Sequence, residues 1–440
     1  MSYILDTLIA NVTAVTMNER MDVLFGAFIG IEDGKIVHIG KDAPKDPPKT
    51  IIDGTGMVAL PGLINCHAHL AATGLRNLMD DTPRAEALTQ QLFREDKLDA
   101  RSARASALLG IAEAVRFGTT SVSDLYYYPD ATAEAAKEVG IRANVALSAY
   151  RFQDSNEDFD FDTDPQCREL CRLAEKWEND THIRVDAGIY AEYTSNHQLW
   201  EGLSAFALEK NLGFQLHLSE TAREAEECAD RTGLYPAELL ACHGVFREGT
   251  CATGCVALTE EERALLGKKK ISAVSTPMAY AKMGLPLLPV ADTVKAGINV
   301  ALGTGSVLES GNLDMFEVMR FTALTQRLTG GDCDTMPAAA VLMMATVCGA
   351  RAQGRGDRCG MLKNGMDADL ILLDFTKPHL TPCHNVLTAL VFSAKGSDVA
   401  LTMVGGKILY KNGEFPTFDL TAAVEEVKGY TLDRLFDEKG

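Results

Sequence analysis

The sequence predicts an α/β fold in which repeated βα units form a parallel barrel beside a smaller sheet domain. Between residues 57 and 356, short apolar runs alternate with longer helical patterns, which favours a parallel barrel. Strand patterns occupy both flanks, residues 1–56 and 357–425, so we expect the two ends of the chain to build one composite domain. Residues 426–440 are predicted to be a C-terminal tail or helix.

The flanking strands are predicted from apolar runs bounded by turn residues. Ile4–Val15 and Phe28–Ile39 have strand periodicity, and the Asp33-Gly34 pair inside the second run is typical of a hairpin turn. Strand patterns return near the C-terminus, at Ala368–Leu373, Asp398–Val404 and Lys407–Tyr410.

In the middle region, helical patterns end at glycines and strands follow them. Ser102–Phe117 is amphipathic and stops at Gly118, and Asp130–Val139 stops at Gly140. An open doubly wound sheet is the alternative, but no G-x-G-x-x-G run follows an early strand. The predicted strands of this region are Thr119–Leu125, Ile141–Leu147, Ile183–Tyr190, Gly213–Leu218, Lys270–Val274 and Gly297–Leu302.

Composition excludes several classes of function. The formal net charge is -19, from 61 acidic and 42 basic residues, which argues against binding to nucleic acid or to anionic membranes. No apolar run approaches the length of a membrane span, and the N-terminus has no basic segment of a signal peptide. Eleven scattered cysteines fit reduced thiols, so we expect a cytoplasmic protein.

His67 and His69 follow a short apolar run and the Pro61-Gly62 turn. If that run is a strand, residues two apart point to the same face, and both imidazoles can meet one ion. Imidazole binds zinc, iron or nickel well. The pattern therefore predicts two ligands of a metal site.

His217 and Glu220 form a second group, where a strand in the middle of the barrel should end. His217 is a candidate third ligand, and three histidines with an open position are typical of catalytic zinc sites. Glu220 is the candidate catalytic residue, because a carboxylate near a metal-bound water can carry a proton to a leaving amine.

With these motifs in place, the sequence resembles the amidohydrolase superfamily, and within it the branch of methylthioadenosine/S-adenosylhomocysteine deaminases and chlorohydrolases. The resemblance covers nearly the whole chain. It is carried by Pro61–His69, Glu113–Asp124, His217–Thr221, Asn312–Arg320 and Ser393–Gly413. It implies a (β/α)8 TIM-type barrel with a composite β-sandwich, one divalent metal (zinc ahead of iron), deamination of a purine-like or other N-heterocyclic small molecule, and a homodimer or larger homo-oligomer.

Three positions depart from the pattern of that family. Gly254 stands where the family has a histidine, and Gly305 stands where it has the aspartate of Leu-Gly-Thr-Asp. Tyr190 replaces a histidine that contacts substrate. Losing a catalytic base or an electrostatic stabiliser costs about 10²–10⁴ in rate, so other groups would have to replace them.

Candidate replacements lie nearby in sequence. They are Glu309, which by itself is typical of a solvated loop carboxylate, Glu192 beside Tyr190, and Ser275 or Thr276. Tyr190, Glu192 and Arg151 are the candidate substrate-binding residues.

Two main hypotheses remain. The first is a metal-dependent hydrolase with an atypical site. The second is a catalytically degenerate member that keeps the fold and binds a ligand, with or without metal. Lyase or isomerase chemistry on the same barrel is a third possibility that no residue singles out.

Overall fold

The computed structural model describes residues 5–78, 80–82, 84–153 and 158–436. Within them the strands form two eight-stranded sheets. In chain order the strands are β1 (Leu5–Val15), β2 (Val23–Glu32), β3 (Lys35–Gly40), β4 (Pro48–Asp53), β5 (Met57–Pro61), β6 (Leu63–Ala68), β7 (Thr119–Tyr126), β8 (Arg142–Leu147), β9 (Ile183–Gly188), β10 (Gly213–Leu218), β11 (Thr250–Gly254), β12 (Ser272–Ser275), β13 (Asn299–Leu302), β14 (Leu370–Asp374), β15 (Val399–Val404) and β16 (Lys407–Lys411).

The helices fill the intervals of the barrel and the C-terminal part of the chain. In chain order the α-helices are α1 (Arg84–Glu95), α2 (Ala100–Arg116), α3 (Pro129–Val139), α4 (Pro165–Trp177), α5 (His197–Glu209), α6 (Ala222–Thr232), α7 (Pro236–Cys242), α8 (Glu260–Lys268), α9 (Pro277–Lys282), α10 (Val290–Lys295), α11 (Val307–Ser310), α12 (Met315–Gly330), α13 (Ala338–Ala345), α14 (Val347–Ala352), α15 (Val386–Phe392), α16 (Leu420–Glu426) and α17 (Leu432–Phe436). None of the described helices is both long enough and apolar enough to cross a bilayer.

The mixed sheet is built from both termini, as the sequence predicts. Its strand order is β16-β15-β14-β5-β1-β2-β3, and β4 pairs with β1. The predicted hairpin turn joins β2 to β3, with Asp33 at φ 47° and Gly34 at φ 73°. Two successive left-handed residues are what the tight turn of a twisted hairpin requires.

The second sheet is the predicted parallel barrel. Strands β6 to β13 pair with their neighbours in chain order. The ends of the sheet meet where the Gly305 N–H donates to the His67 carbonyl oxygen at 3.0 Å, and Ala68 forms a parallel bridge with Gly305. Gly305 therefore lies at the seam that closes the barrel.

The barrel strands differ from the prediction in several places: β11 was missed, β12 and β13 begin two residues later than predicted, and β9 ends two residues earlier. β11 was not predicted, because its residues, TCATG, are small and carry little apolar pattern, although all of them are buried. β12 begins at Ser272 and not at Lys270, because Lys270 has a left-handed φ of 56° and ends the preceding turn.

The two sheets share a boundary around residue 60. β5 lies inside the range predicted for the barrel, yet it pairs with β1 and β14 of the mixed sheet. The domain limits at 56/57 and 356/357 stay a prediction. Within the predicted tail of residues 426–440, the described part is helical, including α17, and residues 437–440 lie outside the described residues.

A buried ion-pair cluster connects the barrel to the mixed sheet. Arg142, the first residue of β8, donates from Nε to Asp369 Oδ2 at 2.6 Å and from Nη2 to Asp367 Oδ2 at 3.0 Å. Both aspartates lie just before β14, and all three side chains are buried. The cluster fixes the start of a barrel strand against the returning C-terminal chain.

Candidate functional site

Three histidines converge at the carboxyl ends of the barrel strands. His67 lies near the end of β6, His69 directly follows that strand, and His217 is the penultimate residue of β10. Phe214, Leu216 and Leu218 pack in the main hydrophobic core, so His217 lies on the opposite face of β10 by strand alternation. One nitrogen from each imidazole lies within 4.8 Å of the other two.

Backbone carbonyls orient two of the three imidazoles. His69 Nδ1 lies 2.6 Å from the Leu125 carbonyl oxygen, and His217 Nδ1 lies 3.0 Å from that of Tyr190. Each Nδ1 therefore carries the proton and donates a hydrogen bond to the carbonyl oxygen, which leaves the lone pair of Nε2 free. This is the arrangement that ligating histidines adopt.

The geometry of the free nitrogens fits a small divalent ion. His217 Nε2 lies 3.1 Å from His67 Nε2. Two nitrogens that bind one tetrahedral zinc at about 2.0–2.1 Å are themselves about 3.3 Å apart. Burial, followed by the neighbouring histidines, lowers the pKa of His67 well below its ordinary value, and burial and His217 lower the pKa of His69 to about 3. Neutral imidazole is the form that binds metal.

Glu220 is held beside this cluster by a tyrosine that the sequence analysis did not single out. Tyr280, on α9, donates its hydroxyl to Glu220 Oε1 at 2.7 Å. Burial, then the Glu220 carboxylate, raises the pKa of Tyr280 well above its ordinary value, so the phenol keeps its proton. Glu224 fixes the loop, because its carboxylate accepts the N–H groups of Ser219 and Glu220 at 3.0 and 2.8 Å.

Gly254 and Tyr280 occupy complementary space. Gly254 has φ 96°, and a Cβ atom there would lie 2.7 Å from Tyr280 Oη and 3.1 Å from Glu220 Cγ. The tyrosine hydroxyl thus fills the place from which a side chain at 254 would start. A histidine at this position would clash while Tyr280 keeps this conformation.

Gly305 lies next to Glu309. It has φ 72°, and a Cβ atom there would lie 3.1 Å from Ala279 Cβ and 3.8 Å from Glu309 Oε2. Glu309 is partly buried on α11. After burial itself, its carboxylate is among the charges that raise the pKa of Tyr190 and of Tyr280. The Glu309 carboxylate therefore lies among the polar groups of the site.

The three candidate substrate-binding residues lie in different surroundings. The Tyr190 ring lies 4.7 Å from the His217 ring, centre to centre, and Glu192 is buried two residues further on. The Arg151 guanidinium lies over the Phe159 ring at 5.2 Å, and Arg151 does not line the cavity that Glu192 and Glu220 share. Tyr190 thus adjoins His217 and Glu192 lines a cavity together with Glu220, whereas Arg151 packs on an aromatic ring.

Sequence reasoning missed Tyr280 and Glu224. Tyr280 is one of many aromatic residues in the sequence, and only the packing of α9 against the end of β11 brings it to Gly254. Glu224 lies one helical turn after Glu220, and the Thr221 N-cap of α6 was a usable signal, because it places Glu224 in the first turn beside the free N–H groups.

Comparison with known proteins places the chain in a family. The model of the amidohydrolase family matches residues 58–409. A 5-methylthioadenosine/S-adenosylhomocysteine deaminase of Thermoanaerobacter pseudethanolicus is 35% identical over 427 residues, 96% of this chain and 98% of that protein. A 5'-deoxyadenosine deaminase of Methanosarcina acetivorans is 34% identical over 96% of this chain and 97% of its own length.

Solved structures of related proteins have the same fold as this chain. An adenosine deaminase from Xanthomonas campestris with bound zinc superposes with a TM-score of 0.92 at 27% identity, over 99% of both chains. The atrazine chlorohydrolase of Arthrobacter aurescens, in complex with zinc, gives a TM-score of 0.88 at 25% identity, over 96% of this chain and 99% of its own. The chain belongs to the amidohydrolase family, and the resemblance expected from its motifs is confirmed.

Proposed function

We propose that this protein is a metal-dependent aminohydrolase that releases ammonia from a small N-heterocyclic substrate. The convergence of three imidazoles, with Glu220 on the loop after His217, carries the proposal. One nitrogen of each lies within 4.8 Å of the other two, and backbone carbonyls orient His69 and His217 so that their Nε2 lone pairs are free to bind an ion.

His67, His69 and His217 would hold one divalent ion, with zinc expected because related structures contain it. The bound ion would supply the positive charge that makes water a nucleophile near neutral pH.

Glu220 is the proton carrier of the proposal. Its Oε1 is engaged by Tyr280, so Oε2 is the atom that accepts a proton from the attacking water and returns it to the leaving nitrogen. The Tyr280 hydroxyl keeps the carboxylate oriented. The Tyr280 phenol therefore occupies the space that a side chain at position 254 would need.

Glu309 is the proposed replacement for an aspartate at 305. Its carboxylate lies 3.8 Å from the position of a Cβ atom at 305, so it offers an acidic group at the same edge of the site. The role is to accept a proton and not to bind the ion, because Glu309 is outside the group of ligand atoms within 4.8 Å of one another.

Adenosine-type nucleosides are the first substrates to test, because the relatives are named as deaminases of such compounds. A homodimer or larger homo-oligomer and a cytoplasmic location remain part of the proposal.

Two measurements test it. Elemental analysis should find about one zinc ion per chain, and His217→Ala should lose it, while His243→Ala should keep it. His243 is the matched control because it lies at the end of α7 and pairs with Glu201 at 2.9 Å. Ammonia release should then be measured with adenosine, 5'-deoxyadenosine, 5'-methylthioadenosine and S-adenosylhomocysteine.

A folded, metal-free protein without ammonia release after zinc is added would contradict the proposal. It would favour the catalytically degenerate alternative, in which Gly254 and Gly305 mark the loss of the reaction.

A further inference from the structure

The tail segment, Leu420–Phe436, reaches a hydrophobic cluster beside the histidines. It consists of α16, a π-helical turn and α17. Leu435 of α17 is fully buried in this cluster. The other buried members are Ala71, Ala72, Leu75, Leu98, Ala103, Tyr126, Ala131 and Leu308. All of these come from residues 71–308, so Leu435 is the contribution of a distant part of the chain.

The cluster adjoins the candidate site at two points. The Tyr126 ring lies 5.6 Å from the His69 ring, centre to centre. The short 3-10 helix Leu70–Leu75 directly follows His69. Leu435 packs on this helix, because a Cβ atom at Gly74 would lie 3.5 Å from Leu435 Cδ1. The tail segment therefore contacts the turn that leads out of a candidate metal ligand.

Helix α1 meets the same cluster through its last two residues. Glu95 is buried, and it accepts a hydrogen bond from the Tyr126 hydroxyl at 2.5 Å. Arg94 donates from Nη1 to the Leu435 carbonyl oxygen at 2.8 Å, and its guanidinium lies 4.7 Å from the centre of the Phe436 ring. The end of α1 is thus held between a barrel strand and α17.

One carboxylate ties the tail segment to the connection between α1 and α2. Asp99 is the N-cap of α2, and its Oδ1 accepts the Ser102 N–H at 2.8 Å. Its Oδ2 accepts a hydrogen bond from the Tyr430 hydroxyl at 2.6 Å and lies 3.2 Å from Arg434 Nε. The tail segment is therefore attached on both sides of residue 95.

The remaining surface of α1 is open to solvent at Leu92 and Phe93. Elements with few buried apolar contacts open at a low cost in free energy. The buried side chain of Leu435 and the polar contacts around it are therefore the anchor that we expect to keep α1 in place.

We propose that the tail segment holds α1 and the 3-10 helix after His69 against the candidate site, with Leu435 as the positioning residue. Leu435 acts through these two elements and not by contact with a ligand. Without its side chain, both elements open locally while the barrel stays folded. The consequence for substrate binding rests on the proposed function, whereas the local opening does not.

Hydrogen–deuterium exchange of the full-length protein tests the opening. In Leu435→Ala, the amides of Leu70–Leu75 and of residues 92–98 should exchange at least about tenfold faster, because the variant leaves a cavity at the anchor. The amides of β10 should exchange as in the wild type. Leu432→Ala is the matched control, because Leu432 lies on the same helix but is 36% exposed, and it should change neither stretch.

Two further variants sharpen the test. Leu435→Met keeps the volume of the side chain, so exchange should return close to that of the wild type. Tyr430→Phe removes only the hydroxyl that donates to Asp99, and it should speed exchange in the same two stretches by a smaller factor. This second variant keeps the proposal testable if Leu435→Ala does not fold.

Steady-state kinetics tests the consequence for binding. In Leu435→Ala, KM should rise at least about threefold while kcat stays within about twofold, because a saturating substrate selects the closed form. Leu432→Ala should keep both values. A fall in kcat with KM unchanged would overturn the link to substrate binding.

Three results would overturn the positioning role itself. They are unchanged exchange of both stretches in Leu435→Ala and Tyr430→Phe, an equal acceleration in β10, or an equal acceleration in Leu432→Ala. Local opening in Leu435→Ala, in a protein that neither binds zinc nor releases ammonia, would refute the proposed function alone. Ammonia release by the wild type, with no local opening in the variants, would refute the role of the tail segment alone.

Discussion

The two ends of the barrel differ in how their buried charged side chains are paired. At the amino end of β8, Arg142 lies between Asp367 and Asp369, and its remaining N–H group donates to the Thr181 carbonyl oxygen. The Arg142 guanidinium, after the opposing effect of burial, holds the pKa of Asp369 below its ordinary value. Lys35 and Arg358 also pair with Asp367, each at 2.8 Å, so every carboxylate of this cluster has a cation beside it.

At the carboxyl ends of the strands, Glu220 and Glu224 lie together without an ion pair to any residue that the structure describes. Burial, then Glu220, raises the pKa of Glu224 to about 7. The Tyr280 hydroxyl donates to Glu220, and after burial the Glu220 and Glu309 carboxylates are among the charges that raise the pKa of Tyr190 and of Tyr280. The comparison teaches that ion-paired charges here join two parts of the fold, whereas carboxylates held by a phenol and by backbone N–H groups lie at the candidate site.

The largest expected effect is at the carboxyl end. Glu220→Gln should lower kcat by about 10²–10⁴ with little change in KM, because the amide cannot take up a proton. Steady-state ammonia release, with a substrate found as described above, measures it. Glu226→Gln is the control, because Glu226 is an exposed glutamate on α6, the helix that follows Glu220. If kcat of Glu220→Gln stayed within a fewfold of the wild type, Glu220 would not be the proton carrier.

At the amino end, Arg142→Met should destabilise the fold by about 3–5 kcal/mol, because it removes the cation of the buried Asp369 and one of the cations of Asp367. Urea unfolding followed by circular dichroism measures the free energy of unfolding. Arg104→Met, which removes an exposed partner of Glu138, should cost less than about 1 kcal/mol. If the free energy of unfolding fell by a similar amount in Arg142→Met and in Arg104→Met, the buried cluster would stabilise the fold no more than an exposed ion pair does.

The raised pKa of Glu224 predicts a dependence of stability on pH. Between the ordinary pKa of 4.5 and about 7, the folded state binds more protons at Glu224 than the unfolded state does. The free energy of unfolding should therefore fall as pH rises from about 4.5 to 7, with a slope from this group of at most about 1.4 kcal/mol per pH unit.

Urea titrations at several pH values, for the wild type and Glu224→Gln, isolate this contribution as the difference between the two slopes. The contribution is present in full below pH 4.5 and lost above pH 7. If the free energy of unfolding of the wild type and of Glu224→Gln changed in parallel with pH, the pKa of Glu224 would not be raised in the folded state.

The smallest effect tests the pairing of Gly254 with Tyr280. Gly254→Ala should destabilise the protein by about 1–3 kcal/mol, because φ is left-handed and the new methyl group meets Tyr280 Oη. In a Tyr280→Phe background the cost should fall, with a coupling free energy of about 0.5–1 kcal/mol. A double-mutant cycle by urea unfolding measures it. If Gly254→Ala lowered the free energy of unfolding by the same amount in both backgrounds, residues 254 and 280 would not be energetically coupled.

A large part of the fold follows from the sequence. Apolar runs alternating with helices ended by Gly118 and Gly140 predict the βα units, and α3 indeed ends at Gly140 with φ 95°. The Asp33-Gly34 turn predicts its hairpin. These signals are local, because turn conformations and strand periodicity depend on neighbouring residues. β11 escaped prediction because its small residues are buried by their surroundings and not by their own hydrophobicity.

The sequence by itself determined the histidine pair, since His67 and His69 share one strand end, and it determined the candidacy of His217 and Glu220 from their position after a strand. Tertiary structure alone decided which groups face them. Barrel closure brings Gly305 to His67, the packing of α9 brings Tyr280 to Gly254, and α6 brings Arg231 to Glu192. The physical reason is that these contacts join residues far apart in the chain, and only the closed sheet and the helices packed on it fix their distances.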